Sequence, residues 1–234
     1  MNRFTLSVAA AILWLAPASQ AAPINASDSG NYDDTGLHTP AFDNYLTGVL
    51  GGTQYRGFFA FSLSGVTGGS ITGATLSLSN RDTSIQGVTL PGMAGTPFTL
   101  NLFDVTSLFA DVIGGLNGAA VFTDLGGGTL LGSLALAANT PGDVVIPLSA
   151  AGLTYLNAGA GGNIIIGLSL TGPGAADKYA FFNEGNAAEF ADSIRVLNLT
   201  TTSTTPGASG VPEPTTCTLM LGALAGLAWF KRSR

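Results

Sequence analysis

Residues 74–79 (ATLSLS) alternate apolar and polar side chains without a break. Period-two alternation marks a strand with one face in a core and the other in water. Wound as a helix, the same residues would scatter their leucines around the axis. The pattern recurs along the chain. Residues 98–103 (FTLNLF) set Phe98, Leu100 and Leu102 on one side. Residues 55–63 (YRGFFAFSL) set Tyr55, Phe59, Phe61 and Leu63 on one face, with Arg56, Ala60 and Ser62 on the other. Further strands are predicted at 120–123, 129–136, 143–148, 178–183 and 193–199. Residues 163–170 (NIIIGLSL) form the most apolar strand, predicted to be central. Gly65, Gly68 and Gly69 mark a turn between antiparallel neighbours. Helix is confined to two short pieces. One is capped by Ser107, runs through Ile113 and is closed by Gly114 and Gly115. The other covers 149–157, with Leu153 and Leu156 facing the core. Residues 22–44 are polar and rich in Asp, Asn, Gly and Thr, which predicts a loop-rich lead-in with one edge strand. Eight or nine short strands at near-regular spacing give an all-β fold, an antiparallel β-sandwich of jelly-roll type. A doubly wound fold or α/β barrel needs long helices between strands, and this sequence has no room for them.

Composition narrows what such a body can do. Residues 22–205 carry 13 acidic side chains against Arg56, Arg81, Lys178 and Arg195, a balance of −9, compared with −6 for the whole chain. That charge repels phosphate backbones and argues against a nucleic-acid partner, while it favours divalent cations. The single cysteine, Cys217, lies outside this body, so the body has neither a disulfide framework nor a thiol nucleophile. About 180 residues suffice to build a core without such staples.

The two ends have a different character. Residues 1–21 hold Arg3, an apolar run over 6–16, then Pro17 and the small-residue stretch Ser19-Gln20-Ala21. This order predicts a secretory signal peptide, cut by signal peptidase between Ala21 and Ala22. At the other end, residues 211–214 read Val-Pro-Glu-Pro, residues 215–230 are uncharged and apolar, and the chain finishes on Lys231-Arg232-Ser233-Arg234. As a helix the apolar run would span roughly 24 Å. It predicts one short C-terminal transmembrane helix over 215–230, its basic end in the cytoplasm and the body outside. The alternative is a buried core helix, which a run apolar on all faces and ending in a basic cluster disfavours. Residues 200–210 (TTTSTTPGASG) read as a flexible linker between body and tail.

This tripartite tail, Val211-Pro212-Glu213-Pro214 followed by an apolar run and by Lys231, Arg232 and Arg234, resembles the PEP-CTERM sorting signal of Gram-negative bacteria. The resemblance implies an exosortase partner that removes the tail near Pro-Glu-Pro. The precursor would be anchored in the inner membrane, and the product passed to the cell surface or a secreted matrix. Such proteins often accompany exopolysaccharide. The body is similar in motif order to jelly-roll bodies of exported bacterial proteins, among them non-catalytic, carbohydrate-binding-like modules. The stretches that carry this are 56–80 (RGFFAFSLSGVTGGSITGATLSLSN), 141–170 and the final strand.

Chemistry-bearing residues are sparse. His38 is the only histidine and has no nucleophile-elbow sequence near it, so it reads as a solvated loop residue. One histidine and no body cysteine cannot assemble a usual zinc site. Asp28, Asp33, Asp34 and Asp43 cluster before the first clear strand, and Glu184, Glu189 and Asp192 cluster near the end. Asp28, Asp33 and Asp34 are candidates for a structural calcium, although ordinary turn chemistry accounts for them too and is the favoured reading. The body has no tryptophan, which weakens stacking on sugars; its tyrosines are Tyr32, Tyr45, Tyr55, Tyr155 and Tyr179. No catalytic residue and no cofactor is assigned. The expected function is a non-enzymatic structural or binding protein of the cell envelope or exopolysaccharide. The alternative is a carbohydrate-active hydrolase or lyase working through Asp and Glu.

Overall fold

The computed structural model describes residues 18–41, 45–67, 69–80, 84–85, 88–89, 98–136, 142–172, 179–180 and 194–203. The chain divides into two compact units, Met1–Ser203 and Thr204–Arg234, and the second lies wholly outside the described residues. In chain order the first unit holds β1 (Ala18–Gln20), β2 (Ile24–Asn25), β3 (Asp28–Asp33), β4 (Thr47–Leu50), β5 (Thr53–Ser62), β6 (Gly69–Asn80), β7 (Ser84–Ile85), β8 (Val88–Thr89) and β9 (Phe98–Asp104). Helices α1 (Phe109–Gly114) and α2 (Gly118–Asp124) follow, then β10 (Leu130–Leu136), β11 (Gly142–Pro147), α3 (Ala150–Ala158), β12 (Asn163–Thr171), β13 (Tyr179–Ala180) and β14 (Arg195–Ser203).

Two antiparallel sheets face each other. The first runs β1-β14-β6-β11, with β2 also on β14; the second runs β10-β9-β12-β5-β4-β13, with β3 also on β5. β7 and β8 form a small separate ribbon. The alternation seen in the sequence sets which side chains meet. On β6, Leu76 lies between Ile146 of β11 and Leu197 of β14, and all three are fully buried. Facing them are Phe59 and Phe61 of β5, Leu100 and Leu102 of β9, and Ile166 and Leu168 of β12, in one continuous core. Each such side chain contributes roughly 1.5–3 kcal/mol by leaving water. β12 is central in its sheet, between β9 and β5, as its apolar run predicts. The body is thus all-β and sandwich-like.

The second sheet is also covered on its outer face. Tyr32, Phe58, Ala60, Val105, Val112, Val121, Leu125 and Ile165 form a second core beneath α1 and α2. Both faces of β5 and β12 are therefore apolar in their middle, which explains why residues 163–170 read as an almost unbroken apolar run.

Five local expectations are corrected. The runs 55–63 and 74–79, predicted as antiparallel neighbours across a Gly-rich turn, lie in different sheets: β5 pairs with β3, β4 and β12, whereas β6 pairs with β11 and β14, because a Gly-rich connection serves a crossing between sheets as well as a hairpin. Residues 120–123, predicted as a strand, lie in α2; the run is too short to distinguish the two periods, and Val121 and Leu125 point together into the second core at helical spacing. Ser107 does not cap α1: Leu108 occupies that position, and the Ser107 N–H donates to Asp124 instead. The predicted loop-rich lead-in contains β2 and β3, with β3 paired to β5 along its whole length. The predicted linker starts late, because residues 200–203 continue β14. The β4–β5 hairpin turns on Gly51 and Gly52, both at positive φ (59° and 83°), the type that only a pair of glycines or similar residues adopts readily.

β1 comes from the predicted signal peptide and pairs with Thr200, Thr201 and Thr202. Among the described residues no helix is long and apolar enough to cross a membrane. The predicted span 215–230 lies outside them.

Candidate functional site

The predicted sorting residues Val211, Pro212, Glu213, Pro214, Lys231, Arg232 and Arg234 lie outside the described residues, as do Asp43, Glu184, Glu189 and Asp192. The expected leader junction is described. Ala21 is half-buried against the main core and its N–H donates to Leu199 O at 3.0 Å, whereas Ala22 is exposed.

β3 fixes the positions of the candidate calcium ligands. Asp28 opens the strand and Asp33 closes it, so roughly 16 Å of extended chain separates them. Calcium ligands lie about 2.3–2.6 Å from their ion, so Asp28 cannot share one with Asp33. Each carboxylate has a local role. Asp28 Oδ1 accepts from Ser29 N at 2.7 Å. Asp33 Oδ1 accepts from Thr35 N at 2.9 Å, Thr35 Oγ1 at 2.6 Å and Leu37 N at 2.8 Å. These donors close the turn that leads to His38. Burial alone would raise the Asp33 pKa, but the Thr35 hydroxyl and the N–H groups of Leu37, Thr35 and Gly36 outweigh it and hold the carboxyl below its usual range. The Asp34 N–H donates to Gln54 O at 2.9 Å, tying the same turn to β5. Among the described residues no group of three or more His, Cys, Asp or Glu is placed to hold a metal ion.

His38 is not a solvated loop residue. Its ring stacks on Tyr32 with centroids 4.8 Å apart and meets Phe58 edge-on at 5.3 Å. Nδ1 lies 3.0 Å from Asn31 O. Gly30 makes room for this packing: a Cβ there would come within 2.6 Å of His38 Cε1 and 2.7 Å of Phe58 Cε1. Burial pulls the imidazole pKa below its ordinary value, against the carbonyls of Asn31 and Ile113 and the charge of Asp28. Tyr32 beside it is fully buried and donates to Val112 O at 2.7 Å and Asp111 O at 3.1 Å, tying β3 to α1. Burial, helped by the Asp111 charge, pushes the Tyr32 phenol up to about 12. A triad histidine needs a nucleophile hydroxyl on one nitrogen and an orienting carboxylate on the other. Here Nδ1 faces a backbone carbonyl and the ring is packed between aromatics.

Two further positions carry weight that sequence reasoning did not assign. Arg56, on β5, lies 4.4 Å over the Phe122 ring and donates through Nη1 to Phe122 O at 2.7 Å and Thr123 O at 2.9 Å. A cation on the last carbonyls of α2 opposes the negative end of that helix. Gly126 leaves space for the guanidinium, whose Nε is buried without a hydrogen-bond partner among the described residues. Asp124, at the end of α2, accepts from Thr106 N at 2.8 Å, Thr106 Oγ1 at 3.1 Å and Ser107 N at 2.6 Å. The only sequence signals were a cation in an otherwise apolar strand and an Asp that ends a short amphipathic run. The arrangement built by His38, Arg56, Asp33 and Asp124 holds α1, α2 and the 34–38 turn against the second sheet. Compared with known proteins, the chain matches no family model and no curated protein sequence.

Proposed function

We propose that this chain is an exported, non-enzymatic structural or binding protein of the cell envelope or exopolysaccharide. In this reading residues 1–21 are a signal peptide, and 215–230 form a transmembrane helix that anchors the precursor in the inner membrane. An exosortase removes the tail near Pro212-Glu213-Pro214 and passes a jelly-roll body to the surface or secreted matrix. One observation carries the reading: the order Val211-Pro212-Glu213-Pro214, apolar run, Lys231-Arg232-Ser233-Arg234 at the C-terminus. Pro212 and Pro214 lack backbone N–H groups and fix φ, so this turn stays extended and separate from the helix that follows. The body supports the reading in a second way. It is a two-sheet core without cysteine, and among its described carboxylates Asp28, Asp33 and Asp124 each accept from backbone N–H groups.

The test is the mass of the mature protein. Replacing Pro212, Glu213 and Pro214 by alanine leaves export intact and the protein membrane-bound with its tail. Replacing Lys231, Arg232 and Arg234 by neutral residues loosens retention, and unprocessed chain escapes. If mature protein outside the cell still carries residues 219–234, the segment is a plain anchor and the sorting reading fails.

A further inference from the structure

The end of the predicted leader is built into the first sheet. Ala18, Ser19 and Gln20 pair antiparallel with Thr202, Thr201 and Thr200. Ala21 continues the ladder through its bond to Leu199 O at 3.0 Å, and β2 then pairs with Val196 and Leu197. The outer edge of β14 is thus covered by the very segment that spans the expected cleavage bond. Ala21 also packs its methyl against the core between the sheets.

We propose that closure of the first sheet occludes the Ala21–Ala22 bond, so that the leader is removable only before β14 is in place. The inference rests on the leader reading above and assigns an order to its processing. The cut itself is a hydrolysis: water adds across the Ala21–Ala22 amide, leaving a carboxylate on Ala21 and an amine on Ala22. A peptidase must take the Ala21 side chain into its own pocket and hold residues 19–21 extended in its cleft. In the folded chain that methyl lies in the core and those residues are held on β14. Thr200 to Thr202 follow the leader by nearly the whole body, so a chain made from its N-terminus exposes the cleavage bond well before the covering strand exists. After the cut, β14 keeps β6 on one side and β2 on part of the other.

The experiment uses the full-length precursor in detergent, offered to a type I signal peptidase either refolded or held unfolded in urea, with mass spectrometry following the appearance of a chain that begins at Ala22. The refolded precursor is expected to be cut at least about tenfold more slowly than the unfolded one, a factor equivalent to about 1.4 kcal/mol of opening. Thr201→Pro restores cutting of the folded chain. Leu199 O points to Ala21, so antiparallel alternation points the Thr201 N–H to Ser19, and proline removes it without touching the bonds of Thr200 and Thr202 to β6. A circular-dichroism melt establishes that the variant is folded; if it is not, the comparison of refolded and unfolded wild type decides alone. Equal rates for refolded and unfolded wild type overturn the occlusion while leaving the leader reading standing. An unfolded chain that is never cut between Ala21 and Ala22 overturns the leader reading and the inference with it.

Discussion

Gly167 offers a test in which the sign of the effect decides. It sits mid-strand in β12, opposite Phe58 of β5 and Phe103 of β9. A glycine there weakens a strand, so alanine in open surroundings would stabilise by about 0.5–1 kcal/mol. The surroundings are not open. A Cβ on Gly167 would stand 2.8 Å from Leu125 Cα and 2.9 Å from Leu125 C, and would press on the Leu125 carbonyl oxygen as well. All three atoms are backbone, so no rotamer change relieves the clash. Leu125 is fully buried and its N–H is bonded to Val121 O at 2.9 Å, and Arg56 clamps the preceding carbonyls of α2. Gly167→Ala must therefore lift the end of α2 off the sheet, an overpacking cost of about 1–3 kcal/mol. At about 2–4 °C per kcal/mol for a body of this size, Tm falls by about 2–12 °C. Thermal and urea melts of a chain of residues 22–203 read this directly. Gly65→Ala is the control: nothing lies within 4 Å of its Cβ position, so it leaves Tm unchanged or raises it, by up to about 1 kcal/mol of stability. A Gly167→Ala protein that melts at or above the wild-type temperature would refute the packing of α2 on β12.

Other expectations follow from the second core and its turns. Because burial depresses the His38 pKa, the unfolded imidazole takes its proton first as pH falls; stability declines from about pH 6.5 towards the folded pKa and levels off below it. An NMR titration of the folded protein giving a His38 pKa at or above 6.5 would contradict this. The Asp33 pKa is lowered, so its contribution is fully present above the ordinary value of 3.8 and is lost as pH falls through the folded pKa. Asp33→Ala is expected to cost about 1 kcal/mol in urea melts at neutral pH, with a smaller deficit below pH ~3.8. Arg56→Met keeps bulk over Phe122 but removes both bonds to the end of α2, and is expected to cost about 1–2 kcal/mol. Calcium at millimolar concentration is expected to shift Tm by less than about 1 °C, whereas saturation at a hundred times Kd would add about 2.7 kcal/mol. A large rise abolished by Asp33→Asn would restore a calcium site there.

The sheets were legible because strand alternation is local. Leu76, Leu78, Leu100 and Leu102 declare their inward face from their own neighbours, but which strands pair is not local: the Gly-rich stretch after β5 leads to β6 in the other sheet and not to a hairpin partner. Phe58 and Gly167 could not declare theirs. Each lies on the face opposite the main core, and only the arrival of α1 and α2 on that face makes it an interior. The same contact turned residues 120–123 into a helix, since four apolar-rich residues satisfy either period and Val121 and Leu125 follow whichever surface they meet. His38 was misread for a related reason. Its loop sequence is polar, but the Asp33 turn folds it back onto Tyr32 and Phe58 through the gap that Gly30 leaves. Residues 200–203 read as linker because they have no apolar pattern of their own, and the backbone pairing they make with 18–20 needs none. Composition and alternation are properties of neighbouring residues, so the sequence alone determined them. What covers each face and each edge depends on segments up to 184 residues apart (Ala18 and Thr202), and only the tertiary structure decided it.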